Sequence, residues 1–136
     1  MAVALIAMAA VLAGAALVLS ASQQTGLALD VQSGRAYQAA KGGLEWGVNN
    51  VLRAGAPDCV DMAAPGTTFA YGGDLAGFHV TVVCSQTAHE DPAAVSVYQL
   101  TATGCNVLAG GRCDPTAPPA IATYAERQLR AVVSSN

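Results

Sequence analysis

Residues 1–54 read MAVALIAMAAVLAGAALVLSASQQTGLALDVQSGRAYQAAKGGLEWGVNNVLRA, and whether this stretch is one helix or several pieces decides the fold. Residues 1–19 contain no charge and no strong polar group. Three readings compete for them. A cleavable secretory signal would want basic residues before Ala2, and Ser20-Ala21-Ser22 could pass for its cleavage site. A plain membrane anchor also fits, because about twenty apolar residues rising ~1.5 Å each nearly match a bilayer core of ~30 Å. The third is a helix stored in the membrane first and packed among sister helices later.

The residues beyond Ser20 separate these readings. A stop-transfer helix usually ends in a basic cluster, and none follows here. The helical pattern continues instead. Leu27, Val31, Leu44, Val48 and Leu52 fall at near-helical spacing, with the small residues Gly34, Ala36, Ala39, Ala40, Gly43 and Gly47 between them. Asp30, Arg35, Lys41, Glu45 and Arg53 occupy other faces, and no proline precedes Pro57. The spacing predicts one nearly continuous helix from Ala2 to Arg53, stopped by Gly55 and Pro57. Its second half should lay its Leu/Val stripe on the domain that follows. Gly14 and Gly26 bracket Ser20 and Ser22, making this the weakest part of the helix, since each exposed interior glycine costs about 1 kcal/mol against alanine. Two readings of the weakness stand side by side: close packing of small residues between helices, or a place where the helix extends or melts.

Composition supports an apolar end joined to an ordinary domain. Apolar residues make up 53% of the 136 and charged residues 11%, the latter roughly half the usual share. The net charge of −3, with six scattered Lys and Arg, excludes the basic stripe that nucleic acid requires. Four cysteines are present, Cys59, Cys84, Cys105 and Cys113, and none forms a C-x-x-C pair. An even count without metal spacing, after a translocation-type segment, predicts disulfides in an oxidising compartment. Sequence order favours Cys59 with Cys84 and Cys105 with Cys113, the latter loop turning at Gly110-Gly111. Each bridge is worth ~2–4 kcal/mol.

Past Pro57 the period changes to two. Phe78, Val80, Val82 and Cys84 alternate with His79, Thr81 and Val83, which predicts a strand with one apolar and one more polar face. Val95–Thr103 is a second strand, rich in β-branched and aromatic residues. Thr123–Val133 is a third, with Ala125, Leu129, Ala131 and Val133 inward, although a helix over 122–132 competes. The expected fold is α+β: a long N-terminal helix packed on a small antiparallel meander of three or four strands.

Chemistry-bearing residues are sparse. His79 sits mid-strand on the more polar face and reads as solvent-exposed. His89-Glu90-Asp91 does not supply convergent metal ligands. No G-x-S-x-G, P-loop or G-x-G-x-x-G occurs. Tyr37 and Trp46, on a helix expected to face a sheet, read as core or subunit contacts. No catalytic, cofactor-binding or metal residue is assigned, and an enzyme is not expected.

Several strings resemble a known family. They are Ser22-Gln-Gln, Ala28-Leu-Asp-Val-Gln, Arg35-Ala-Tyr-Gln-Ala-Ala40 and Gly43-Leu-Glu-Trp-Gly47, then Leu75-Ala-Gly-Phe78, Val82-Val-Cys84, Tyr98-Gln-Leu-Thr-Ala-Thr-Gly-Cys105 and Tyr124-Ala-Glu-Arg-Gln-Leu129. Together they are similar to the type IV pilin-like biogenesis proteins of mannose-sensitive haemagglutinin (MSHA) pili, over nearly the whole chain. The block from Arg35 to Gly47 is the most specific part.

The resemblance implies a prepilin cut at the inner membrane of a bacterium by a prepilin peptidase, N-methylated at its new terminus and passed to a pilus assembly platform. Met1 is the expected methylated residue. Major pilins carry glutamate at the fifth mature position, which is then Leu5 here. A carboxylate in an apolar filament core is costly unless it meets a neighbour's ammonium, so its absence points to a minor, tip or assembly-priming subunit, with a major subunit as the alternative. Leu5, Leu12, Gly14, Leu17 and Leu19 are the expected membrane and filament-core residues, and the partners are other pilin subunits through their N-terminal helices. The expected organisation is a helix over 1–54, divided into a membrane or filament-core segment (1–20) and an amphipathic half (21–54), then a disulfide-stapled β domain over 55–136. A membrane-anchored periplasmic binding module is the alternative from another class.

Overall fold

The absence of proline and the run of alanine, leucine and valine let one helix, α1, form over Ala2–Leu52. The computed structural model describes the backbone of residues 2–53, 59–89 and 95–135, and the side chains of 26–53, 59–88 and 95–134. Four strands follow: β1 (Thr67–Ala70), β2 (His79–His89), β3 (Val95–Cys105) and β4 (Glu126–Ser135). They form one antiparallel sheet in the order β1-β2-β3-β4, a simple meander. Two compact units divide the chain at Val31/Gln32. The first is helical. The second, Gln32–Asn136, holds the rest of α1 and the whole sheet.

Within the second unit the core lies between the helix and one sheet face. Val80, Val82 and Cys84 of β2 and Leu100 and Ala102 of β3 are buried, together with Cys59 and Met62. Leu44, Trp46, Val48 and Val51 of α1 pack against them, as do Phe69 and Tyr71. A second cluster joins Ala36 and Ala39 to Phe78 and Ala125. Trp46 meets Phe69 edge-on with ring centroids 5.1 Å apart, and Phe69 meets Tyr71 in the same manner at 5.5 Å.

The face that α1 presents to the sheet differs from the expected Leu/Val stripe. Leu27, Val31 and Leu52 are 66%, 58% and 53% exposed, while Leu44 and Val48 are only partly buried. The buried row is Ala36, Ala39, Ala40, Gly43, Gly47 and Asn50. The reason is distance. A Cβ on Gly43 would stand 2.4 Å from Val80 Cγ2, and one on Gly47 2.7 Å from Leu100 Cδ2. Gly104 of β3 completes the seat, because a Cβ there would lie 2.3 Å from the Ala36 carbonyl oxygen and 2.7 Å from the Ala40 nitrogen. The sheet supplies the large side chains and the helix supplies the room. Asn50 Nδ2 is buried at the C-terminal end of this row, with no hydrogen-bond partner among the described residues.

The strands also run differently at their ends. β2 continues to His89, well past the apolar alternation, because its whole length pairs with β3 from His79↔Cys105 to His89↔Val95. β4 begins at Glu126 rather than Thr123, since the Tyr124 N–H donates to the Ile121 carbonyl at 3.0 Å and holds that segment in a turn. β1 had no alternation to announce it. It is positioned by pairing Thr67–Ala70 with Val82–His79 and by the Tyr71 N–H donating to the Phe78 carbonyl.

Candidate functional site

Two features of the second unit stand out as built rather than incidental: the helix seat and the stapled outer face of the sheet. The seat is pinned by polar contacts at two points. Tyr71 Oη donates to the Ala39 carbonyl at 3.0 Å, and Asn106 Nδ2 donates to Gln32 Oε1 at 3.3 Å. Burial, and then the carboxylate of Glu45, push the Tyr71 hydroxyl above the usual tyrosine range. Asn106 also donates to the Thr123 carbonyl and accepts from the Ala125 N–H, so one side chain ties α1 to the start of β4.

On the face away from α1, a polar row crosses all four strands: Thr68, Thr81, Thr103 and Gln128, each opposite the next. Thr68 and Thr81 share a hydrogen bond of 2.9 Å. Gln128 Nε2 donates to Thr103 Oγ1. The Cys113 N–H donates to Thr81 Oγ1 at 2.8 Å. The expected polar face is therefore not a wet one. Thr81 is 3% exposed, and His79, expected to be solvent-exposed, is half-buried. The cause is the segment around Cys113, which the second disulfide folds back over β2.

The structure joins Cys59 to Cys84 with Cα atoms 5.2 Å apart, and Cys105 to Cys113 with Cα atoms 5.6 Å apart. The smaller ring contains a tight turn, with Ala109 bridging Arg112 across Gly110 and Gly111, whose φ angles are 59° and 82°. Asp114 closes the next turn. Its carboxylate accepts from Thr116 Oγ1 at 2.6 Å, from the Thr116 N–H at 3.0 Å and from Arg112 Nη2 at 2.7 Å. The Thr116 hydroxyl and then Arg112 hold its carboxyl down to about 2. Tyr124 donates to Glu126; burial first, and then that carboxylate, push its hydroxyl up. Between this loop and the threonine row lies an open cleft of about 380 Å³, lined by Pro65, Thr101, Thr103, Arg112, Asp114 and Gln128 among others.

The four cysteines are thus brought together in pairs on the sheet unit. Of the expected helix residues, Leu5, Leu12, Gly14, Leu17 and Leu19 lie in helical backbone outside the described side chains, and Met1 lies outside the described residues. His89 is known here only as backbone, and Glu90 and Asp91 also lie outside. Among the described residues no helix is long and apolar enough to cross a membrane, and no three His, Cys, Asp or Glu side chains converge. Tyr37 is exposed on α1, whereas Trp46 faces the sheet. The residues missed by sequence reasoning are Gly104, the threonine row and the Asp114 turn. The Ala36-Ala39-Ala40-Gly43-Gly47 spacing was a visible signal for the seat; nothing marked Gly104. Compared with known protein families, curated proteins and solved structures, the chain matches none.

Proposed function

We propose that this chain is a structural, pilin-like subunit of a type IV filament of the MSHA kind, held in the inner membrane before assembly. Its role is that of a minor, tip or assembly-priming subunit. The observation that carries the reading is the uninterrupted helix Ala2–Leu52, whose C-terminal part seats on a four-stranded antiparallel sheet with two disulfides. The uncharged sequence of residues 1–19 supports it, because such a segment needs lipid or sister helices around it. The disulfides suit an oxidising compartment outside the cytosol. Mass spectrometry of the chain from wild-type cells and from cells lacking prepilin peptidase is the first test. A shorter, methylated N-terminus in the wild type alone is expected; the same mass in both refutes the proposal. Filament imaging with a tag inserted between Gly110 and Gly111 then separates tip from shaft. The outer-face cleft favours a second reading, a membrane-anchored periplasmic binding module, for which a mature chain that never enters filaments is the deciding result.

A further inference from the structure

β4 is the last strand of the sheet, with β3 alone beside it. Its register runs unbroken from Cys105↔Glu126 to Ser96↔Ser135, so no bulge turns the edge away. The alternation of an antiparallel ladder tells which backbone groups are left over. The Asn106 N–H donates to the Ala125 carbonyl at 3.2 Å, which turns residue 125 toward β3, and 127, 129, 131 and 133 with it. Glu126, Gln128, Arg130, Val132 and Ser134 therefore turn their N–H and C=O groups outward. Among the described residues no backbone group pairs with them. One outward carbonyl, that of Glu126, accepts from the exposed guanidinium of Arg127 at 3.0 Å.

Sheet edges are commonly protected by charge, proline or a bulge. β4 contains no proline, and β2 and β3 carry no Asp, Glu, Lys or Arg at all. The outward-turned charges of β4 are Glu126 and Arg130, and their spacing does not repel a second β4. When two copies meet antiparallel, outward residues oppose outward residues. A two-fold axis at Arg130 would place arginine against arginine, and one at Glu126 glutamate against glutamate. An axis at Gln128 sets Glu126 against the second copy's Arg130, Arg130 against its Glu126, and Gln128 against itself. No other register of the outward set opposes unlike charges.

We propose that the β4 edge is a self-association site, at which a second copy of this chain adds its own β4 antiparallel about Gln128. The interface is isologous and closes as a pair. This inference uses only the sheet and does not rest on the filament reading. It is tested on the full-length chain in uncharged detergent micelles at low salt, by sedimentation equilibrium over a range of protein concentrations. Glu126→Arg and Arg130→Glu should each weaken the dimer by about tenfold or more, because each turns two opposed pairs repulsive. Combining them should restore it, since the pairs are reinstated with signs exchanged. A chain that stays monomeric throughout overturns the proposal, as does a dimer that ignores the single reversals, or a combined variant as weak as the singles. Should either reversal disturb folding, Gln128→Pro serves in its place. It removes an outward N–H and no backbone bond to β3, and it gives up the one side-chain bond from Gln128 Nε2 to Thr103 Oγ1. A folded, monomeric Gln128→Pro chain supports the site; a folded, dimeric one overturns it.

Discussion

Gly104→Ala should unfold the helix seat more easily, although by strand propensity alone it should help. A glycine inside a strand is worth roughly 0.5–1 kcal/mol less than alanine. Against that gain stands the seat. The added methyl would lie 2.3 Å from the Ala36 oxygen, 2.7 Å from the Ala40 nitrogen and 3.2 Å from the Ala39 methyl. An unstrained carbon–oxygen contact is about 1 Å longer than the first of these. Both close atoms are helix backbone, so no rotamer change relieves them, and α1 must lift off β3. Overpacking of this sort costs roughly 1–3 kcal/mol, occasionally more, which outweighs the propensity gain. The chain has a single tryptophan, Trp46, and it stands at the helix–sheet boundary against Phe69. Its fluorescence reports separation directly. Urea titrations of the wild type and Gly104→Ala should show a lower midpoint at unchanged slope, or a melting temperature lower by about 4 °C or more. Gly34→Ala is the control: its Cβ would meet nothing within 4 Å, so it should stabilise by up to about 1 kcal/mol. Equal or greater stability of Gly104→Ala would falsify the close-approach argument.

Other consequences can be checked separately. Tyr71→Phe removes the bond to the Ala39 carbonyl and should cost about 0.5–1.5 kcal/mol. Gly42→Ala, whose Cβ would sit 2.8 Å from Tyr71 Oη, should cost less in the Tyr71→Phe background than alone, a coupling that a double-mutant cycle of urea midpoints reads. Removing Cys59 and Cys84, 25 residues apart, should cost more than removing Cys105 and Cys113, 8 apart; loop closure gives about 3.5 against about 2.5 kcal/mol, and thermal melts that rank the two the other way oppose it. Asp114 has its folded pKa depressed to about 2 against an ordinary carboxylate near 4. Its contribution is therefore full above the ordinary value and is lost as pH falls through the folded one. An NMR titration should find the turn at 112–116 intact at pH 4 and its carboxyl titrating near 2; an ordinary midpoint contradicts the hydrogen bonding seen there.

Much of the architecture was legible because it depends on periodicity. The change of period after Pro57 marks the end of α1 and the start of sheet, and the alternation through Phe78–Cys84 identifies the buried face of β2. Sequence order favoured the cysteine pairs that the structure joins. What could not be read depends on distance between segments far apart in the chain. Leu44, Val48 and Leu52 have the spacing of a buried stripe, yet the sheet already supplies bulk through Val80, Val82 and Leu100, so alanine and glycine take the closest row, Leu44 and Val48 pack partly buried beside it, and Leu52 is exposed. Gly104 looks like a weak point in a strand until the helix backbone is placed against it. Thr81 looks like a wet residue until the ring closed by Cys105 and Cys113 is laid over it. The edge charges of β4 acquire meaning only once the strand order is known.

The seat of α1 is notched, and this decides how the joint answers force. Val80 and Leu100 stand in the gaps left at Gly43 and Gly47, so a slide along the helix axis brings side chains larger than glycine against them. The same pull loads Tyr71 on Ala39 and Asn106 on Gln32 in shear, and Leu44, Trp46, Val48 and Val51 grip the sheet beside the row. The joint therefore resists slipping as well as lifting, as a key does in its lock.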